Sequence, residues 1–369
     1  MKVLVTGSNG FIGSNLIVEL KNRGYFDLVT IDRNDSWEKV IHQVESLNFI
    51  FHLAGVNRPT DPSDFMKGNF DLTSELLALL KKSGNKAPVL LSSSIQANMD
   101  NPYGQSKKAG EDILFKYGRE NGIDVYVYRF PNVFGKWCRP NYNSAIATFC
   151  HNIARDIPIT VNDPSVLMNL VYIDDVVNEL INAMEGRGNR VGDFYEVPVT
   201  HQCQLGHIVD LIHHFKASRG TLGVPNLSNE FEKKLYSTYL SYLPEDQFSY
   251  PLKMNSDHRG SFSEFIKTPD RGQFSINVAK PGITKGNHWH HTKNEKFLVV
   301  SGKGSIRFRR IDSNQVIEYT VSGDKLEVVD IPVGYTHNIQ NIGDTDLVTV
   351  MWANEAFDPQ HPDTFFLEV

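Results

Sequence analysis

The chain has 369 residues, of which 40% are hydrophobic and 22% charged, with a formal net charge of −6. It is long enough for two or three domains with separate cores, and its make-up is that of an ordinary soluble globular protein. The slight acidity excludes a general basic footprint for nucleic acid or an anionic membrane. The three cysteines, Cys138, Cys150 and Cys203, show neither zinc-knuckle nor disulfide-framework spacing, so a reducing compartment is expected. Met1 runs directly into strand-like VLVTG, without the basic and apolar regions of a signal peptide, and no apolar run approaches a membrane span. A cytoplasmic protein without a membrane or nucleic-acid partner is the expectation.

In chain order, short β-branched or aromatic runs at 3–5, 28–31, 49–53, 89–91 and 125–128 alternate with helix-like segments at 12–23, 65–82 and 103–121. Such alternation predicts a doubly wound parallel sheet of the Rossmann-like α/β class. The segment SELLALLKKSG ends its helix on two lysines and Gly84. Apolar positions 205, 208, 209, 212 and 215 form a helical stripe, and 231–243 reads as another helix. LPEDQFSYPL (243–252) reads as a linker between a first domain, 1–245, and a second, 252–369. Beyond it come short alternating runs, FSINVA, KFLVVSG, SIRFRR, VIEYT, KLEVVDI and LVTVMW, broken by Gly, Asn, Asp and Ser. Evenly spaced short strands predict an all-β sandwich or barrel.

The first chemical signal is TGSNGFIG (6–13), between a strand and a helix. Gly7, Gly10 and Gly13 permit a tight turn and close approach of a pyrophosphate to the helix N-terminus, with Asn9, Phe11 and Ile12 in the same loop. Asp32 ends the next strand, where an acid would bind a ribose hydroxyl, and Arg33 beside it would suit a 2′-phosphate. Tyr103 and Lys107 are four apart and share a helix face. The ammonium, and later a cationic nicotinamide, would lower the tyrosine pKa and make it a usable acid/base. Ser94, at the end of strand PVLL, can offer a hydroxyl to the same reacting oxygen.

With FHLAG (51–55), Asn69 in NFDLT, LSSS, YGQSK, RFPNVFG (129–135) and VYIDDV (171–176), the first two hundred residues resemble the extended short-chain dehydrogenase/reductase family. That resemblance implies Ser94, Tyr103 and Lys107 as the catalytic triad. It implies a dinucleotide held by Gly7, Asn9, Gly10, Phe11, Ile12, Gly13, Asp32, Arg33, Leu53, Ala54, Gly55, Tyr103 and Lys107. It also implies a nucleotide sugar beside Asn132 and Val133. Only eighteen residues separate Asp32 from FHLAG, so a strand usual in that family is expected to be missing.

The second signal is GNHWHHTKNEKFLVVSG (286–302). On a strand, His288 and His290 face one side, Glu295 can return on the neighbouring strand, and PVGYTH brings His337. Three imidazoles and a carboxylate form an N/O donor set for zinc, iron or manganese. The spacings G-x5-H-x-H-x4-E-x6-G and P-x-G-x2-H-x3-N resemble the two motifs of cupins, which are jelly-rolls. DHRGSFSE (257–264) resembles the opening of the sugar-nucleotide 3,5-epimerase branch. The resemblance implies His290, Glu295 and His337 as metal ligands, His288 as catalytic base or fourth ligand, and Arg259 and Glu264 on the nucleotide sugar. His291, on the opposite face, is left out.

A 4-keto sugar connects the two halves chemically. Its ketone acidifies the C3 hydrogen, so a base can invert C3, and the same ketone then accepts hydride. Epimerisation must come first, because reduction removes the acidity. The order reductase then cupin resembles a bifunctional family of bacterial capsular polysaccharide enzymes. That resemblance implies a UDP-linked 2-acetamido-2,6-dideoxy-4-keto-L-hexose converted to the L-talose sugar, with NADPH, Zn2+ and a homodimer.

Overall fold

The computed structural model describes residues 1–369. The chain divides into two compact units, residues 1–213 with 228–244, and residues 214–227 with 245–369. The first contains β1 (Val3–Thr6), α1 (Phe11–Asn22), β2 (Leu28–Ile31), β3 (Phe49–His52), α2 (Asp64–Met66), α3 (Leu72–Ser83), β4 (Val89–Ser94), α4 (Pro102–Asn121), β5 (Val125–Phe130), β6 (Asn132–Phe134), α5 (Ala145–Ala154), β7 (Leu167–Tyr172), α6 (Ile173–Met184), β8 (Arg190–Val191), β9 (Phe194–Tyr195) and β10 (His201–Gln204). Helix α7 (Leu205–Thr221) begins in this unit and ends in the second, and α8 (Glu230–Leu240) belongs to the first.

The main sheet has the order β2-β1-β3-β4-β5-β9-β8 and is parallel except for the terminal β8. Its inner strands are apolar on both faces, as a sheet covered by helices on both sides requires. Val3 and Val5 enter one core with Leu16, Leu20, Val176 and Leu180 of α1 and α6. Leu4 enters the other with Leu76, Leu80 and Leu114 of α3 and α4. Between β2 and β3 the chain makes only 3-10 turns, Trp37–Lys39 and Ile41–Ser46, so β2 is an edge strand and the expected loss of a strand is real. The chain order changes direction between β1 and β3, and a crevice opens at their carboxyl ends, where such sheets bind ligands.

From residue 255 onward the second unit is built of antiparallel strands: β11 (Asn255–Asp257), β12 (Gly260–Thr268), β13 (Gly272–Ala279), β14 (Thr284–Trp289), β15 (Glu295–Ser301), β16 (Lys303–Arg310), β17 (Val316–Ser322), β18 (Val328–Ile331), β19 (Tyr335–Asn341), β20 (Leu347–Ala353) and β21 (Phe365–Phe366). They form sheets β11-β12-β13-β20-β15-β18 and β17-β16-β19-β14-β21. Phe297, Val299, Ile331 and Leu347 of one meet Ile306, Phe308, Val321 and Ile339 of the other in a common core, giving a jelly-roll sandwich.

One element differs in extent from the sequence reading, and another takes an inner face that the reading left open. Helix α7 runs past residue 217 to Thr221. Strand β13 is inside out: Gln273, Ser275 and Asn277 are buried, while Phe274 and Ile276 are 40% and 36% exposed. Alternation sets the strand's period but not which face is inner.

Candidate active sites

The β1–α1 turn packs so tightly on its own chain that side chains at two of its glycines would clash. Gly7 has φ +69°, and a Cβ there would lie 2.8 Å from the Ala54 nitrogen; one on Gly13 would lie 2.2 Å from the Gly7 oxygen. The N-cap of α1, Gly10, has no side chain to occupy the first-turn N–H groups, so they face the crevice with the helix dipole behind them. Asp32 accepts a hydrogen bond from the Ser8 hydroxyl and another, at 2.9 Å, from the Asn9 amide. It therefore buttresses the loop, and neither it, exposed Arg33 nor Ala54 lines the adjoining cavity. The Ala54 amide instead donates to Thr6 Oγ1 at 3.1 Å.

That cavity, about 620 Å³, gathers the glycine loop, Leu53, Gly55, Ser94, Tyr103, Lys107, Asn132 and Val133. Ser94 closes β4, and its hydroxyl accepts the Gln96 amide at 3.2 Å. Helix α4 starts on a good cap: Asn101 accepts the Gly104 amide at 2.8 Å and Pro102 stands in the first turn. That start sets Tyr103 and Lys107 on one face. Lys107 is buried, donates to the Ser92 carbonyl at 3.1 Å, and lies 6.0 Å from the centre of the Tyr103 ring. Asn132 donates to the Asn169 carbonyl at 3.2 Å.

Burial pushes the Lys107 ammonium down to about 8, with Glu111 pulling the other way. Burial also raises Tyr103 above the usual phenol value, against a hydrogen bond with Ser94. This corrects the expected lowering by Lys107: desolvation of the ring decides the sign in the protein alone.

Three supporting residues were not assigned roles from sequence. Asn69 sits in a π-helical turn, Lys67–Asp71, where its side chain accepts the Val56 amide at 3.0 Å and donates to the Val56 carbonyl at 2.9 Å and to Ser106 Oγ at 3.0 Å. It ties the β3 loop to α4. A Cβ on Gly55 would lie 2.7 Å from Asn69 Oδ1 and 2.9 Å from Lys107 Nζ, so a side chain there would displace both groups. Glu111, fully buried one turn beyond Lys107, accepts Ser93 Oγ at 2.5 Å and Arg129 Nε and Nη2 at 2.9 and 2.6 Å. The four-residue step from Lys107 and the arginine of RFPNVFG were the available signals.

In the second unit, β14 carries a bulge at Asn287, which has φ +60°, between Gly286 opposite Asn338 and His288 opposite His337. The bulge re-aims the strand so that His288 faces His337 directly. Their ring centres are 4.5 Å apart, and that of His290 lies 4.9 Å from His288. Glu295 opens β15 in the other sheet, not on a strand beside β14 as expected. The four groups thus come from both layers of the sandwich. Their ligand atoms lie within 4.8 Å of one another, with Glu295 Oε2 3.2 Å from His337 Nε2 and 3.6 Å from His290 Nε2.

These residues fit a divalent metal. His290 Nε2, Glu295 Oε2 and both ring nitrogens of His337 are buried with no aligned hydrogen-bond partner. Buried polar atoms ordinarily have one. His290 Nδ1 donates to the Asp363 carbonyl, which can only accept, so its Nε2 keeps a lone pair for the centre. Tetrahedral donors on one ion lie roughly 3.3–3.5 Å apart, close to the Glu295–imidazole spacings. Burial would raise the Glu295 carboxyl, but the facing imidazoles outweigh it and hold it below the usual range. Burial pushes His288 down to about 4, so its imidazole is neutral near pH 7.

Asp257, Arg259, Asn277, Lys285, His288 and His337 line a second cavity of about 550 Å³. Asp257 accepts Arg259 Nε at 2.9 Å and Nη2 at 2.7 Å, and the guanidinium holds that carboxyl at about 2. Glu264 does not reach this lining; it pairs with Lys267 at 2.7 Å. Lys285, three residues before His288, was missed. It donates to Asn277 Oδ1 at 2.9 Å and the Val278 carbonyl at 2.7 Å. His291 is exposed and packs on Trp289 and Phe365.

Residues 3–197 match the NAD dependent epimerase/dehydratase family, and residues 255–365 match the Polysaccharide biosynthesis C-terminal domain. The chain is 48% identical over 370 residues to the UDP-2-acetamido-2,6-beta-L-arabino-hexul-4-ose reductase of Pseudomonas aeruginosa, covering 100% of this chain and 99% of that one. Among solved structures, it is similar to the capsular polysaccharide assembling protein CapF from Staphylococcus aureus, with 57% identity, a TM-score of 0.95 and full coverage of both chains. CapF with the inhibitor 3-isopropenyl-tropolone matches at 52% identity and a TM-score of 0.90, again over 100% of each chain. The UDP-glucose 4-epimerase of Thermotoga maritima shares the fold alone, at 21% identity and a TM-score of 0.54 over 66% of this chain and 98% of that one. The chain thus belongs to the NAD dependent epimerase/dehydratase family of nicotinamide-dependent enzymes, and within it to the proteins that join this domain to a jelly-roll of polysaccharide biosynthesis.

Proposed function

We propose that the chain is a bifunctional capsule-sugar enzyme, with residues 1–245 as reductase and 252–369 as 3-epimerase. Its substrate is a UDP-linked 2-acetamido-2,6-dideoxy-4-keto-L-hexose. The second unit inverts C3, and the first then reduces C4 with NADPH to give UDP-2-acetamido-2,6-dideoxy-L-talose. The observation that carries this is the presence, in one chain, of two cavities each lined by its own proton-transfer group, Tyr103 in one and His288 in the other. The full-length likeness to a hexul-4-ose reductase supplies the sugar.

In the second cavity, neutral His288 removes the C3 proton, and the electron pair moves onto the C4 oxygen. A solvent-derived proton delivered to the opposite face of C3 restores the ketone with C3 inverted, and His288 releases its proton to solvent. Arg259, braced by Asp257, supplies positive charge for the diphosphate. His290, Glu295 and His337 would hold a zinc ion, with His288 as the facing base. Such an ion would act as a Lewis acid that stabilises negative charge on the ketone oxygen. Tropolones are chelating oxygen donors, and inhibition of CapF by one supports a metal reading here.

In the first cavity, Gly7, Gly10, Gly13, Leu53 and Gly55 would hold the nicotinamide cofactor, which in its reduced form would supply hydride for C4. The Tyr103 phenol gives its proton to the C4 oxygen, and Ser94 donates a hydrogen bond to the same oxygen. Buried Lys107 places positive charge beside the tyrosine as it loses that proton. Asn132 and Val133 border the sugar nucleotide. The raised phenol keeps Tyr103 protonated until it is used.

A homodimer is supported by the apolar outer face of the β11–β18 sheet, where Phe274, Ile276, Val300 and Val328 are exposed. Three unpaired cysteines and a nucleotide-sugar substrate fit the cytoplasm. No helix is long and apolar enough to cross a membrane. The deciding experiment incubates the enzyme with the keto sugar in heavy water without NADPH. Deuterium should appear at C3; none at C3, with intact NADPH-dependent reduction, would leave a reductase whose jelly-roll only binds sugar or joins subunits.

A further inference from the structure

We infer that residues 363–368 form a clasp that sets the metal affinity of the second site, with Asp363 as a positioning residue for His290. The inference rests on the reading of His290, Glu295 and His337 as metal ligands. Asp363 acts through both backbone and side chain. Its carbonyl takes the Nδ1 proton of His290 and so fixes the tautomer that leaves Nε2 free for an ion. Its carboxylate accepts the amides of His291 at 2.9 Å, Thr292 at 2.7 Å and Lys293 at 2.9 Å, and the Thr292 hydroxyl at 3.2 Å.

Those amides belong to the loop that joins His290 to Glu295. One residue therefore orients a ligand and also fixes the path of the chain to the next one. Three amides and a hydroxyl converge on this one carboxylate, so it is held in place from several sides by charge-assisted bonds.

The residues that follow extend the same hold. Phe365 and Phe366 pair with Trp289 and His288 in β21–β14. The Leu367 amide donates to the carbonyl of bulged Asn287 at 3.0 Å, and the Leu367 carbonyl accepts the hydroxyl of Thr336, next to His337. Arg309 Nη2 donates to the Glu368 carbonyl at 2.5 Å. Each of the three histidines thus has the clasp bonded to itself or to its neighbour in sequence. Outer partners that orient ligands are worth roughly 10- to 100-fold in metal affinity.

The test uses the full chain, with zinc alone as probe in competition with a chromophoric chelator and cobalt(II) absorption as the reporter of ligand geometry. Asp363→Ala should bind zinc about 10- to 100-fold more weakly and alter the cobalt spectrum. Asp363→Asn, close in shape, keeps one accepting oxygen and should fall between it and wild type. Far-UV circular dichroism identifies a variant that has lost its fold; should alanine do so, asparagine carries the test, with several-fold weaker binding expected. Wild-type affinity and spectrum in a folded Asp363 variant would overturn the clasp while leaving the metal site standing. A wild-type chain that binds no zinc would overturn the metal reading, and the clasp with it.

Discussion

The two cavities treat their polar atoms in opposite ways. Around Tyr103, the supporting groups are already bonded: Lys107 to Ser92, Ser94 to Gln96, Asn69 to Val56 and Ser106, and Glu111 to Ser93 and Arg129. Around Glu295, four buried donor or acceptor atoms on three side chains have no aligned partner. A satisfied network holds side chains in one place, which is what proton delivery to a fixed carbonyl needs. An unsatisfied one is costly unless something else takes the lone pairs. Burial alone would not separate the two sites, since both are buried; hydrogen-bond bookkeeping does.

Four measurements sharpen or break that contrast. The largest effect is expected for Tyr103→Phe, which should lower NADPH-dependent reduction by about 100- to 10,000-fold while C3 exchange in heavy water continues. Loss of both activities would mean that the sites are not separate. Next is Arg129→Met, which strands the Glu111 carboxylate in a place without solvent. It should destabilise the first unit by about 3–5 kcal/mol, read from urea unfolding. An effect near zero would mean that the network does not hold the site.

Third, zinc at about 100 times its dissociation constant should add about 2.7 kcal/mol to the stability of the second unit. A chelator should remove that gain in a thermal unfolding scan, and Glu295→Gln should abolish the zinc response. The smallest effect is a pH limb. Lys107 titrates near 8 in the folded chain, so kcat/KM for the reduced cofactor should fall above pH 8. Glu111→Gln removes the charge that raises Lys107, so the limb should move to lower pH. The sign for stability is opposite to that of a favourable pair. With Lys107 depressed below its ordinary value, the unfolded chain binds more protons between about pH 8 and 10.5, and this residue's contribution to stability rises with pH across that window.

Much of the chemistry was legible because it is local in the sequence. The glycine turn, Tyr103 with Lys107, and His288 with His290 each lie within one loop, one helical turn or one strand, where spacing dictates geometry. Partners from distant segments were not. Arg129 reaches Glu111 from a neighbouring strand and Asp363 meets His290 across 73 positions, whereas Glu295 was named as a ligand and only its sheet was misplaced. The sign of the Tyr103 shift was misread for the same reason: adjacency to a lysine is visible in a sequence, whereas depth of burial is not. Strand β13 adds a third case, since its period was correct and its inner face polar.

The brief crossover between β2 and β3 has a kinetic side. With two 3-10 turns where a helix and another strand could stand, β2 has no strand beyond it. A dinucleotide laid across the carboxyl ends of β1 and β3 would therefore meet no further strand beyond β2. Contacts that never form do not have to be broken on departure. For a reductase, whose cofactor is spent in every cycle and must be exchanged for a fresh one, fewer contacts on that side would shorten residence time and speed release.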